Sequence, residues 1–284
     1  MRSVLASDLR ELEVIVVEQA LRNQPPSPST DIQDPRVLKI CVRAGRGMSR
    51  SKNIGIARAR APYVAILEAD DLVKPKKFSA SATALDHHPE AGFAYADFEH
   101  LDQHGATIRP SARTGFAPFS SMRSEPIEDS WSLIRQPDLA RGLLEANLSG
   151  MSGVVVRRQL LTEIGPFDES VGCCAELDLW FRLVHRCHGL YSSEAGHSHR
   201  NPRDGHACPA SQDCVTVLRR ERDRWTNRVA RRLLDRRIAR SLANVADYER
   251  RRGDRLRSSA MFAYAFATSP DIRWLSGMLS ALLS

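Results

Sequence analysis

What this 284-residue sequence lacks removes several classes of protein at the outset. It has no run near the roughly 18 apolar residues that a bilayer-crossing helix needs. Its opening stretch, MRSVLASDLRELEV, carries acids early and has no long apolar core, so it does not read as a secretory leader. The six cysteines, Cys41, Cys173, Cys174, Cys187, Cys208 and Cys214, show no CxxC spacing. Reduced thiols in a cytosolic protein are therefore the expectation. Aromatic residues make up only 6% of the chain, and few fall between residues 215 and 257, where bases would need stacking partners if that basic stretch bound nucleic acid.

What is present is ordinary for a globular chain. Hydrophobic content of 42% and charged content of 26% suit one large α/β domain with an appendage. The net charge of +7 is uneven: residues 215–257 hold 15 arginines against 6 acids, a local +9 that leaves the remainder at −2. A solvated helix face is the plainest reading of that segment. Contact with an anionic membrane surface is another.

The hydrophobic pattern alternates between strand and helix. LEVIVV (12–17), VLKICV (37–42), YVAIL (63–67), GFAYADF (92–98) and SGVVV (152–156) read as strands. Helices are expected after Ser49 as cap, from near Pro75 to His88, over LARGLLEAN and RRQLLTEI, and within 175–187. This order is that of a doubly wound sheet. Residues 105–136 have weak periodicity. From Cys214 onward Leu218, Trp225, Val229, Leu233, Ile238, Leu242 and Val245 form a helical stripe with arginines filling the other faces, and a second helix pair, about 256–268 and 271–283, follows, with Ser269 capping and Pro270 starting the last one. The expected organisation is a catalytic domain over 1–213 and a basic helical module over 214–284.

The chemistry is concentrated in YVAILEADD (63–71), where three acids in four positions follow an apolar strand. Ligands of open α/β sheets bind beyond the carboxyl ends of the strands. Paired carboxylates there suit Mg²⁺ or Mn²⁺, and Mg²⁺ completes its shell with phosphate oxygens and water. A phosphorylated substrate is implied.

SKNIGIARARAPYVAILEADD, IGPFDES and AELDLWFRL, in that order, resemble the signatures of the inverting family 2 glycosyltransferases, enzymes of the GT-A fold that use nucleotide-sugar donors. The resemblance runs from residue 3 to about 200. It implies a GT-A-type, Rossmann-like mixed sheet and transfer of a sugar, with inversion, from a donor such as a UDP-sugar to a hydroxyl of a glycan or lipid-linked acceptor in bacterial cell-surface polysaccharide synthesis. By the same resemblance Asp70 holds a divalent cation on the donor diphosphate, Glu68 lies near the ribose, and Asp71 organises the loop. Lys52 and Asn53 face the nucleotide, with Lys52 standing where arginine is usual, and Glu18 occupies a position that commonly contacts the base. Glu176 matches the general base, where aspartate is usual, with Asp178 supporting it. His206 is the candidate for a metal-assisting histidine, following a His199-Arg200 pair, while a zinc site lacks the usual spacing. The chain starts at what resembles the helix after the family's first strand, so that strand is expected to be missing and the sheet to close up or expose its edges. Two other readings follow: a GT-A-fold binding module without turnover, and a basic nucleic-acid-binding protein. A cytoplasmic protein, associated with the inner membrane face through residues 215–257, completes the expectation.

Overall fold

The structure, a computed structural model, describes residues 1–20, 32–43, 47–112, 122–147, 150–172, 174–200 and 211–283. The chain divides into two compact units, Met1–Glu169 with Leu179–Gly205, and Ser170–Asp178 with His206–Ser284. A short stretch inside the expected catalytic region, Ser170–Asp178, thus groups with the C-terminal helices.

In the first unit, helix α1 (Arg2–Leu5) leads to β1 (Val14–Ala20), which pairs in parallel with β2 (Val37–Arg43). The β-branched run of β1 suits a pleated, half-buried surface. Helix α2 (Met48–Arg58) returns across β1. Gly55 faces Val17 and Ile15, and Gln19 Nε2 donates to the Gly47 carbonyl and to Ser51 Oγ, each at 3.1 Å. Residues 15, 17 and 19 therefore share the face under α2, and alternation turns Glu18 to the other face. The sequence suggests Ser49 as the cap of α2, but the cap is Gly47, at φ +76°, and Ser49 is buried within the helix. Glycine adopts that left-handed conformation without a Cβ clash, so the chain turns two residues earlier.

The main sheet is mixed and eight-stranded. Its strands are β3 (Tyr63–Ala65), β4 (Leu72–Val73), β5 (Ala91–Leu101), β6 (Thr107–Arg109), β7 (Glu125–Pro126), β8 (Trp131–Ile134), β9 (Val154–Arg157) and β10 (His188–Arg200), in the order β3-β9-β5-β10-β8-β7. β4 adds to β10 and β6 to β5. Within it only β5 and β10 run parallel. Helices α3 (Lys77–His87), α4 (Asp138–Glu145), α5 (Arg158–Ile164) and α6 (Ala175–Val184) connect the strands. The core of this unit centres on Phe93 and Tyr95 of β5, Leu139 and Leu143 of α4, and Trp180 and Phe181 of α6, all buried, with the Phe93 and Trp180 rings stacked.

YVAIL yields a shorter strand than its composition suggests. β3 pairs with β9 only from Tyr63 to Ala65, because the partner chain beyond Val155 soon curls into a 3₁₀ turn at Met151–Gly153. The sheet is also interrupted: β1 and β2 form a separate pair, and no ladder joins β1 to β3 among the described residues. Glu13, just before β1, spans the break by accepting hydrogen bonds from the backbone N–H groups of Arg60 (2.7 Å) and Ala61 (3.0 Å), just ahead of β3. The Arg60 bond leads in holding the Glu13 carboxyl below its ordinary range.

In the second unit, α7 (Ser211–Arg224), α8 (Arg228–Arg251), α9 (Arg255–Thr268) and α10 (Ile272–Leu283) follow one another. Asn227 caps α8 by accepting from Val229 and Ala230, and Asp254 caps α9 by accepting from Arg257. For α10 the sequence points to Ser269, but that residue ends α9. Asp271 instead accepts from the Arg273 N–H at 2.9 Å, since a carboxylate directly before the helix reaches a first-turn amide. The apolar stripe holds at Leu218, Ile238, Leu242 and Val245, whereas Val229 is 65% exposed and its neighbour Ala230 is buried, as is Leu234 rather than Leu233.

The expectation of reduced thiols is corrected by a disulfide between Cys174 and Cys214, 40 residues apart with Cα atoms 5.3 Å from each other. Pairing depends on which Cβ atoms folding brings together, and spacing along the chain does not reveal it. Cys41 and Cys187 are free thiols, and burial pushes Cys187 up to about 12. Cys173 and Cys208 lie outside the described residues.

Candidate active site: the acidic loop after β3

Folding gives the three acids beyond β3 three different environments. Asp70 is exposed, Glu68 is partly exposed, and Asp71 is 4% exposed. Lys52 from α2 reaches Glu68 Oε1 at 2.6 Å and sits over the Phe167 ring. Asp71 Oδ1 meets His199 Nδ1 at 2.9 Å. Burial alone would raise the Asp71 carboxyl, but hydrogen bonds from His199 and Ser152 outweigh it and hold the group below its ordinary value. The same Asp71 bond raises His199. Repulsion among the acids is therefore relieved partly by the Lys52 ammonium on Glu68 and by the hydrogen bonds that hold Asp71.

Ser152 underlies the loop. It is fully buried, its Oγ accepts from the Glu68 N–H at 3.0 Å, and it donates to the Asp71 carboxylate. Its carbonyl accepts from Lys77 Nζ, at the start of α3. Burial lowers Lys77 to about 7, with the nearby Asp71 charge acting against that shift. His197, also buried, is lowered to about 3 by burial first and by Lys77 second, so it is a neutral imidazole at physiological pH. Sequence reasoning missed Ser152 and Lys77. A serine ahead of VVV and a lysine within KPKKF carry no mark of burial, since only β9 and β10 packing around them confers it.

Asn53 is engaged at both ends of its amide. Its oxygen accepts from the Phe167 N–H at 2.9 Å, and its nitrogen donates to the Phe167 carbonyl at 2.9 Å and to Glu169 at 3.1 Å. It thus clamps the loop after α5 onto α2, beside Lys52. Glu18 is half-buried on β1, on the face away from α2. Glu176 and Asp178 occupy the first turn of α6, both half-buried, where the helix dipole favours acids, and they belong to the second compact unit. His206 lies outside the described residues.

A divalent cation fits the chemistry of this loop in a limited way. No group of three or more His, Cys, Asp or Glu side chains forms a metal cage among the described residues. One exposed carboxylate, Asp70, with Glu68 nearby offers oxygen donors to a cation that takes its remaining ligands from phosphates and water.

Comparisons with known proteins bear on the family and the fold of this chain. Residues 1–136 match the model of glycosyl transferase family 2. The chain is 27% identical over 169 residues to the succinoglycan biosynthesis protein ExoO of Rhizobium meliloti (strain 1021), covering 60% of this chain and 46% of that protein. It is also 27% identical over 168 residues to an uncharacterized glycosyltransferase of Nostoc sp., covering 58% of this chain and 48% of the relative. It spans less than half the length of these two relatives. Among solved structures it resembles S. aureus TarS 1–349, with a TM-score of 0.59 at 15% identity over 95% of this chain and 75% of that one. The same protein in complex with UDP-GlcNAc gives a TM-score of 0.59 at 13% identity, over 95% of this chain and 76% of that one. Sequence and fold thus agree: residues 1–136 carry the match to glycosyl transferase family 2, on a mixed α/β architecture of the GT-A type.

Proposed function

We propose that this protein transfers a sugar from a nucleotide-sugar donor, a UDP-sugar, to a hydroxyl of a glycan or lipid-linked acceptor in bacterial cell-surface polysaccharide synthesis. The observation that carries the reading is the sorting of the acids beyond β3: Asp71 locked inward, Glu68 paired with Lys52, and Asp70 left facing outward. That arrangement presents one carboxylate and one ammonium to a diphosphate at the carboxyl end of a strand. The succinoglycan-related relative and the UDP-GlcNAc complex of TarS support the substrate class.

In this reading Asp70, with His206 as the resemblance implies, would hold Mg²⁺ or Mn²⁺, which would neutralise charge developing on the leaving diphosphate. Lys52 offers its ammonium to the same phosphates, and Asn53 keeps the adjoining loop in place. Glu68 and Glu18 take the ribose and base side. Glu176, supported by Asp178, removes the proton from the acceptor hydroxyl as that oxygen attacks the anomeric carbon, so a single displacement inverts the centre.

A binding module without turnover is the second reading, favoured by the break between β1 and β3. Calorimetric titration of UDP with Mn²⁺ and with chelator tests the donor site. Binding should require the cation, and Asp70→Ala should abolish that requirement. Equal affinity with and without metal would sink the metal-bridged diphosphate. Release of UDP from a panel of UDP-sugars separates the enzyme from the binding module.

A further inference from the structure

The second unit carries a feature that sugar transfer does not use. Along α8 the solvent-facing positions are Arg228, Arg232, Arg236 and Arg240, each four residues after the last and all exposed. At 1.5 Å per residue this ridge is about 18 Å long. Like charges four apart on a helix oppose one another, so the ridge works against the helix that bears it. Its charges also lack counterparts among the described residues. The three acids of α8 are taken up by arginines off the ridge: Asp235 by Arg222, Asp247 by Arg250 and Glu249 by Arg257. Arg231 donates instead to the Trp225 carbonyl. Neutralising acids are thus present in the unit but directed elsewhere.

We propose that this ridge docks the protein on an anionic phospholipid surface. Charge complementarity is the first argument: four guanidinium groups in a row match a plane of lipid phosphates. The second is apolar. Val229 stands 65% exposed beside the head of the ridge, and α10, whose only charged side chain is Arg273, exposes Ile272 (75%) and Leu279 (55%). Such side chains enter the boundary between headgroups and acyl chains, whereas a nucleic-acid backbone makes no use of them. No helix among the described residues is long and apolar enough to cross a membrane.

The test is co-sedimentation of the full chain with vesicles of phosphatidylcholine alone and of phosphatidylcholine mixed with phosphatidylglycerol. Binding should appear only with the anionic lipid and weaken as salt is raised. Each arginine near such a surface strengthens partitioning about fivefold, so replacing all four ridge residues by glutamine (R228Q, R232Q, R236Q and R240Q) should lower it on the order of a thousandfold. The control is Arg250→Gln with Arg257→Gln, which removes two paired arginines and should keep most of the binding. Circular dichroism of both variants establishes that the helices persist. Equal binding to neutral vesicles, full binding by the ridge variant, or an equal loss in the control would each overturn the proposal. So would salt-sensitive capture of a duplex oligonucleotide by a chain that ignores the vesicles.

Discussion

Replacing Ser152 by alanine removes one oxygen from a site with 0% exposure, and the consequences follow from its partners. The Glu68 N–H loses its acceptor at 3.0 Å, and the Asp71 carboxylate loses one of the donors that keep it ionised although buried. A neutral hydrogen bond is worth about 1 kcal/mol and one to a charged group about 1.5–3 kcal/mol, so destabilisation of about 3 kcal/mol is expected. The second effect is functional. With the Glu68 backbone N–H no longer held and Asp71 without its Ser152 donor, the acidic loop should lose its fixed height above β9, and affinity for UDP with Mn²⁺ should fall about tenfold, a change of about 1.4 kcal/mol. Urea unfolding followed by circular dichroism reads the first quantity and calorimetric titration the second. If Ser152→Ala unfolds within about 0.5 kcal/mol of the natural protein, as an ordinary surface substitution would, Ser152 does not support this loop. If stability falls but UDP binding is untouched, the loop's position is irrelevant to the donor.

Three further expectations concern the same unit and its neighbour. Glu68→Ala should weaken UDP binding less than Asp70→Ala, because a ribose hydrogen bond is worth less than a charge bridge; the two titrations compared side by side decide it. Glu176→Gln should lower turnover by about two to four orders of magnitude with UDP affinity intact, and near-normal product formation would remove its role as base. For Lys77, burial lowers the group from an ordinary 10.5 to about 7, so between those pH values the unfolded chain holds the extra proton and stability rises with pH. His199, raised by its Asp71 bond, works oppositely, since its stabilisation is complete below its unfolded value and is lost as pH rises through the folded one. Subtracting the profile of Lys77→Met from that of the natural protein by guanidinium unfolding at pH 7 and pH 9 isolates the lysine, and identical slopes would refute its burial as a cation-disfavouring site.

Periodicity along the chain marked β1, β2, β3, β5 and β9, because strand and helix patterns differ in how often they return to the apolar face, but it missed β10, whose residues HGLYSSEAGHSHR hold few branched apolar side chains. VIVV of β1, FAY of β5 and VVV of β9 announce themselves in this way, and so does the arginine-edged stripe of α8. The acids at 68, 70 and 71 were equally legible, since a strand followed by carboxylates is a local pattern. Their division of labour was not. Which acid turns inward depends on His199, 128 residues beyond Asp71, and on Ser152, 84 residues beyond Glu68. The disulfide, the length of β3 and the burial of Lys77 have the same character. Each depends on where distant backbone comes to rest, and no local composition encodes that. Sequence by itself marked five of the ten strands among the described residues and placed a carboxylate cluster at a strand end; only the packing of β9, β10 and α2 around that cluster decided which carboxylate faces outward.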